Sequence, residues 1–377
     1  MVRRVVDAWI DTWRSVLRDS GVLLLLVAAP VLYGFFYPWP YTFQAVTRVP
    51  VVVVDLEHSS LSRQITRFAA SSPRLDVRWV AGDLQEAQQA LWRGEIEGFA
   101  VLPADLKRNV VRGAAVTVVV EGDGAYALLN KAVLYGFAEA VGTVSAGVEI
   151  KKLQAGGQSA RMAAASRSPV GVQMVALFNP TEGYGSYVVP AVALLILQQT
   201  LLMGAAMLVG TWVEQGRHRT GVAGWLGRIA ALSTVGCMAG LLYFGWIFEW
   251  QDFPRGGNPW GALVLLAVYM PAVATLGALL GVWFADRERS MQVLLLTSLP
   301  MAFLSGFSWP FEALPLPLQG VRWLLPSTSA IQASLRLNQM GAPLADVVPQ
   351  LFALLLVTLV AGAALVACTR PRPPLSA

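Results

Sequence analysis

The chain sets long apolar runs against one extended stretch of mixed pattern. Residues 21–37 are apolar and uncharged, and the next comparable run begins only at Tyr187. Four more follow closely, at about 229–247, 260–285, 291–307 and 351–368. Crossing a hydrocarbon core of roughly 30 Å takes about 17–25 helical residues. All six runs therefore predict transmembrane helices, the first and fifth narrowly. Ahead of them, residues 3–18 carry helical periodicity. Val5, Val6, Trp9, Trp13, Val16 and Leu17 fall on one face, and Arg3, Arg4, Asp7, Asp11, Arg14 and Arg18 on the other. That pattern suits a helix lying in the membrane interface, with Trp9 and Trp13 at headgroup level and Arg14 on the polar side. An ordinary amphipathic helix packed on protein is the alternative.

Between the first and second spans the pattern changes to alternating strand and helix signals. Residues 49–55 read as a buried strand and 59–72 as a helix capped by Ser59. Residues 75–80 read as a strand. Residues 83–93 read as a helix with Asp83 and Glu86 spaced as a capping box. A strand at 96–102, a helix opened by Pro103, a strand at 115–121 and a long helix at 125–153 complete the stretch. This alternation predicts an α/β domain with mainly parallel strands and right-handed crossovers. The Gly-, Ser- and Ala-rich residues 156–167 read as a flexible return toward the membrane. Between the fifth and sixth spans, residues 308–348 are Pro-rich and mostly apolar. They predict short helices in the outer interface, broken by Pro310, Pro315, Pro317 and Pro326.

The fold class expected is thus membrane α-helical, with six transmembrane helices and an extracytoplasmic α/β domain between spans one and two. Its parts are an interfacial helix at 1–20, a first span at 21–37, the α/β domain at 38–186 and a five-helix region at 187–377. Composition agrees, since 55% of residues are hydrophobic and 14% charged. The net charge of +5 reflects topology rather than nucleic-acid affinity. Arg3, Arg4, Arg14 and Arg18 precede span one; Arg217, Arg219 and Arg228 follow span two; Arg287 and Arg289 follow span four; Arg370 and Arg372 follow span six. Basic residues in short loops mark the cytoplasmic side, so both termini are expected there. The first span ends in Tyr37-Pro38-Trp39-Pro40 rather than a small-residue cleavage site, which predicts an uncleaved anchor.

Chemistry is sparse. Cys237 and Cys368 both fall inside expected spans, and His58 and His218 lie in different expected compartments, so no metal site is expected. Asp55, Glu57, Glu121 and Asp123 sit at strand ends and turns, where acids are solvated or act as caps. No phosphate-binding G-x-x-x-x-G-K-[ST] loop occurs. None of the six cores holds Asp, Glu, Lys, Arg or His, which disfavours a proton-coupled carrier. The polar groups at depth include Gln198 and Gln199, which can either hydrogen-bond between helices or line a substrate path.

The ordered motifs resemble those of permease subunits of ATP-binding-cassette exporters of the type-2 class, in the branch with a large external domain after span one. The resemblance rests on Val49–Asp55 followed by Ser59, Ser62 and Arg63; on GEIEGFAVLP at 94–103; on Asp123-Gly124; on Asn179-Pro180; and on SGFSWPFEALP at 305–315 with Leu325-Pro326 and Gly341. It implies a transport subunit rather than an enzyme, working as a homodimer or heterodimer of permeases in a bacterial inner membrane. Partners implied are a cytoplasmic ATPase subunit carrying ATP and Mg²⁺, a second permease, membrane lipid and, in some assemblies, a periplasmic adaptor. This chain itself would carry no cofactor. Hydrophobic drugs, lipids or glycans are the substrate classes implied. Glu214, Arg217 and Arg219 fall where such permeases meet the ATPase, although the segment departs from the usual Glu-x-Gly-Thr pattern. Two other readings stand beside this one: an anchored receptor or scaffold without transport, and an ion-driven carrier.

Overall fold

The computed structural model describes residues 1–167, 177–179 and 182–370. The chain forms two compact units, one of Met1–Gln44 with Ala176–Ala377 and one of Ala45–Val175. The first begins with helix α1, Val2–Arg18. Asp19 is extended and ends α1, while its carboxylate accepts the N–H groups of Gly21 and Val22 and so caps helix α2, Ser20–Tyr41. Within α2 the backbone widens into a π-turn over Leu24–Ala28. Pro30 lies just beyond and has no N–H to offer the preceding turn, which accounts for the widening.

The second unit contains β1 Val49–Asp55, α3 Ser60–Ala70, β2 Leu75–Ala81, α4 Leu84–Trp92 and β3 Gly98–Leu102. It continues with α5 Leu106–Val111, β4 Val119–Gly122, α6 Ala127–Ala155 and α7 Ala160–Arg167. The sheet order is β2-β1-β3-β4, with β1 parallel to both neighbours and β4 antiparallel to β3. β1 is buried on both faces: Val49, Val51 and Val53 enter one apolar cluster, Val52 and Val54 the other. That explains its unbroken run of valines. α6 covers the first cluster with Val133, Phe137, Ala140 and Val144.

Expected and observed elements agree closely for β1, β2 and the caps at Ser59 and Asp83. Four expectations need correction. The helix expected from Pro103 begins at Leu106. The capping box is half formed: Asp83 accepts the Glu86 N–H, but the Glu86 carboxylate instead accepts from the Trp79 indole at 2.9 Å. The strand expected at 115–121 is shorter, Val119–Gly122; its antiparallel pairing with β3 leaves the sheet mainly parallel, as expected. The return at 156–167 is helical over its second part, because Ala160, Ala163, Ala164 and Ala165 favour helix and Ala163 is fully buried.

The first unit resumes with α8 Tyr184–Glu214, α9 Val222–Trp250 and α10 Pro259–Phe284. Then come α11 Arg287–Leu296, α12 Ser298–Leu304, α13 Leu316–Val321, α14 Pro326–Ser334 and α15 Leu344–Cys368. Among the described residues, six helices are long and apolar enough to cross a membrane: α2, α6, α8, α9, α10 and α15. Five match expected spans, and the sixth is the long helix α6 of the sheet unit. The expected span at 291–307 is divided instead, into α11 and α12. Thr297 and Ser298 turn their hydroxyls back onto the Leu294 and Leu295 carbonyls, and Pro300 cannot donate to the preceding turn.

α8 is the axis of this unit. Gly277 and Gly281 of α10 form a G-x-x-x-G face against it, where an added Cβ would lie 2.8 Å from the Leu202 carbonyl oxygen and 2.5 Å from that of Ala206. Trp260 and Trp283 are exposed near the two ends of α10. They are separated by roughly 35 Å at 1.5 Å per residue, a spacing suited to tryptophans at both edges of a bilayer core. In the stretch at 308–348, Trp309, Leu316 and Leu324 are exposed, as an interfacial segment requires. Pro326 opens a helix rather than breaking one, and α14 is almost wholly buried.

Candidate functional site

The charged residues that follow α8 divide into engaged and free groups. Glu214 is committed to the fold: its carboxylate accepts the Arg287 backbone N–H at 2.8 Å, at the first turn of α11. Arg287 in turn grips Asp19 with both terminal nitrogens, one at 2.7 Å, and reaches the Thr211 hydroxyl at 3.2 Å. The end of α1, the end of α8 and the start of α11 thus meet in one polar knot. The Arg287 hydrogen bonds hold the Asp19 carboxyl below its usual value against the opposing effect of burial, and the same pairing raises Arg287. Arg217 is exposed and contacts Gln215 at 3.2 Å. Arg219 is exposed, and its side chain makes no hydrogen bond or ion pair to a described residue. The Arg217 and Arg219 side chains make no hydrogen bond or ion pair to another element, whereas Glu214, also exposed, is bonded through one carboxylate oxygen.

Gln198 and Gln199 are neighbours with different fates. Gln198 is 1% exposed and has both ends bonded. Its amide nitrogen donates to the Ser327 hydroxyl at 3.0 Å, and its oxygen accepts the Ser327 N–H at 2.6 Å. That N–H is in the first turn of α14, so Gln198 acts as a cap supplied from another helix. Gln199 points about 100° away around α8. It donates to the Leu294 carbonyl at 3.2 Å, while its carbonyl oxygen is buried and has no protein partner among the described residues. Gln199 lines a groove of roughly 550 Å³ between α2, α8 and α11. Leu25, Tyr33, Ile196, Met203 and Leu295 supply apolar walls.

The amphipathic helix α1 is also divided. Trp9 and Trp13 are half-buried with ring centres 5.8 Å apart, and Val16 is fully buried against the unit. α1 crosses the start of α9 so closely that a Cβ on Gly227 would lie 2.3 Å from the Val5 carbonyl oxygen. Val2, Val6, Ile10 and Leu17 remain exposed as a second apolar stripe. Arg14 pairs with Asp11 at 3.3 Å on the exposed side.

Two features escaped the reading of the sequence. The Asp19–Arg287 pair joins residues 268 positions apart, and no local pattern announces it. The second feature, Gly277-x-x-x-Gly281, was visible as a spacing but meaningful only once its partner helix was known.

Comparison with known proteins bears on the whole chain. A family model described as ABC-2 family transporter protein matches residues 20–367. A curated protein of Escherichia coli K12, "Probable multidrug ABC transporter permease YbhS", is 20% identical over 337 residues, covering 86% of this chain and 85% of its own length. The protein of the same name from Escherichia coli O157:H7 matches equally. No solved structure matches.

Proposed function

The chain belongs to the ABC-2 family of transporter proteins, and we propose that it exports a hydrophobic or amphiphilic molecule from the cytoplasm, driven by a separate ATPase. Membership makes it a multi-pass membrane permease, a transport component rather than an enzyme. Direction, substrate class and orientation are our reading. The arginine distribution favours cytoplasmic termini in a bacterial inner membrane, with the α/β unit outside. ATP and Mg²⁺ would then bind on the partner chain. Arg217 and Arg219, being exposed, are the residues best placed to meet it. A second permease would complete the working unit.

The observation that carries the substrate reading is the groove beside Gln199. Its walls are apolar and it holds one buried acceptor without a protein donor. Binding sites for small molecules typically combine apolar walls with a few fixed polar groups. A multidrug role, printed for the Escherichia coli relative, would suit such walls. The test uses the chain co-purified with its ATPase and reconstituted in vesicles, with a hydrophobic dye such as rhodamine as cargo. Gln199→Leu should lower apparent dye affinity about tenfold, the value of one buried hydrogen bond, with folding intact. Unchanged dye transport in that variant would remove the groove from the path. Absence of any ATPase among co-purifying chains would remove the energy source.

A further inference from the structure

Arg228 is half-buried and held from several sides. Its guanidinium carbon lies 4.3 Å from the Trp212 ring centre and 4.9 Å from that of Trp225. It donates to the Arg217 carbonyl at 2.9 Å and the His218 carbonyl at 3.3 Å. No carboxylate among the described residues pairs with it. Asp11 acts on it only at longer range, and a partly desolvated charge without a close counter-charge is costly unless something supplies one.

Arg228 lines a cleft of roughly 440 Å³ between α1, the end of α8 and the start of α9, together with Arg4 and Arg217. A neighbouring cleft of roughly 470 Å³, holding Arg14 and Arg18, shares Asp11, Ser15, Trp212 and Arg217 with it. Of the acids here, Asp11 pairs with Arg14 and Asp19 with Arg287, while Asp7 also lines the first cleft, so the arginines outnumber the acids there by only one. The side chains of Arg4 and Arg18 make no hydrogen bond or ion pair to a described residue. Two of the three helices that wall the first cleft also carry exposed apolar residues, Val6 and Ile10 on α1 and Val222 and Leu226 on α9. Unpaired cations beside uncovered apolar surface match one chemistry, a phosphate attached to acyl chains.

We propose that this cleft binds the headgroup phosphate of an anionic phospholipid, with Arg228 as its fixed ligand and Arg4 as a mobile one. The lipid would fasten α1 to the start of α9 and so hold the amphipathic helix in register with the spans. This site is separate from the groove at Gln199 and independent of what is transported.

The test titrates the full chain, with any chains that accompany it, in a neutral detergent by native mass spectrometry. The probes are dioctanoyl phosphatidylglycerol, dioctanoyl phosphatidylcholine and inorganic phosphate. Phosphatidylglycerol should bind about tenfold more tightly than phosphatidylcholine, the value of one charge-assisted hydrogen bond, and inorganic phosphate should compete weakly. Arg228→Gln should abolish the preference. The variant Arg4→Gln leaves the tryptophan sandwich intact and should weaken phosphatidylglycerol about tenfold on the same grounds. Equal binding of the two lipids would overturn the proposal. Full competition by inorganic phosphate would mark a free-anion site instead. Unaltered lipid preference in both variants, with loss of a co-purifying protein chain, would make the cleft a protein-docking face.

Discussion

Helices α8 and α15 are both apolar and long enough to span a membrane, yet they are covered to opposite extents. In the most apolar stretch of α8, 83% of residues are buried within the unit, against 22% for α15. The less covered helix is the more apolar, with mean hydropathy of 2.7 against 2.0. A water-soluble fold would order them the other way. In a bilayer the solvent is hydrocarbon, so an outer helix needs only to be apolar, while an inner one must satisfy neighbours. α8 accordingly spends positions on Gln198, Thr200, Gly204 and Ala206, which pack closely or hydrogen-bond. α15 spends its exposed positions on Phe352, Leu355, Leu356, Leu359 and Val360.

The first test of that contrast is at the α8–α10 contact. Gly281→Leu would drive a side chain into the Ala206 carbonyl, and backbone cannot step aside as a flexible side chain can. Overpacking typically costs about 1–3 kcal/mol and occasionally more. We expect the upper end, about 3 kcal/mol, and loss of the folded chain during thermal unfolding in detergent. A variant with wild-type thermal stability would mean that α8 and α10 are not held this tightly.

A smaller effect is expected at the end of α8, where Arg287 ties Asp19 to Thr211. Both side chains are partly covered, 31% and 17% exposed. Removing one partner of a fully buried pair costs about 3–5 kcal/mol; here Arg287→Gln should cost about 1–3 kcal/mol, lowered from that range by exposure. The pH dependence has a definite sign. Asp19 is held below its usual 3.8, so its contribution is fully present above pH 3.8 and fades as pH falls through the depressed value. Stability measured from pH 7 down to about 4 should therefore change little through this pair. A loss centred above pH 5 in the wild type, absent in Arg287→Gln, would contradict the assignment.

How much of this was legible depends on whether the cause was local. The valines of β1, the caps at Ser59 and Asp83 and the apolar runs of α8 and α15 act within a few residues of themselves, so their elements could be read directly. The division of 291–307 is local too, but Thr297, Ser298 and Pro300 were outweighed by the hydropathy around them. Gln198 and Gln199 show the limit. Adjacent identical residues differ only in which neighbour each meets, and Ser327 lies 129 positions from Gln198. The same holds for Glu214, whose place beside Arg217 and Arg219 suggested one shared role. One of its carboxylate oxygens also accepts the Arg287 N–H of α11, 73 positions away, which no local pattern shows. The family was reachable through ordered motifs, whereas the groove and the polar knot required the packing.

The smallest expected effect lies on the other side of the comparison. Leu359 of α15 is 68% exposed, while Leu202 of α8 is fully buried. Leu202→Ala should cost about 2–5 kcal/mol, because the lost contacts and the cavity both count. Leu359→Ala, measured by the same thermal unfolding in lipid nanodiscs, should cost less than about 0.5 kcal/mol, as for surface positions away from special contacts. The reason is that lipid tails surround this side chain before and after unfolding within the bilayer, so little changes for it. Should Leu359→Ala instead cost as much as Leu202→Ala, lipid could not be what covers that face. A second permease packed on α15 would then be the direct explanation, and the contrast between the two helices would be one of chain count rather than of solvent.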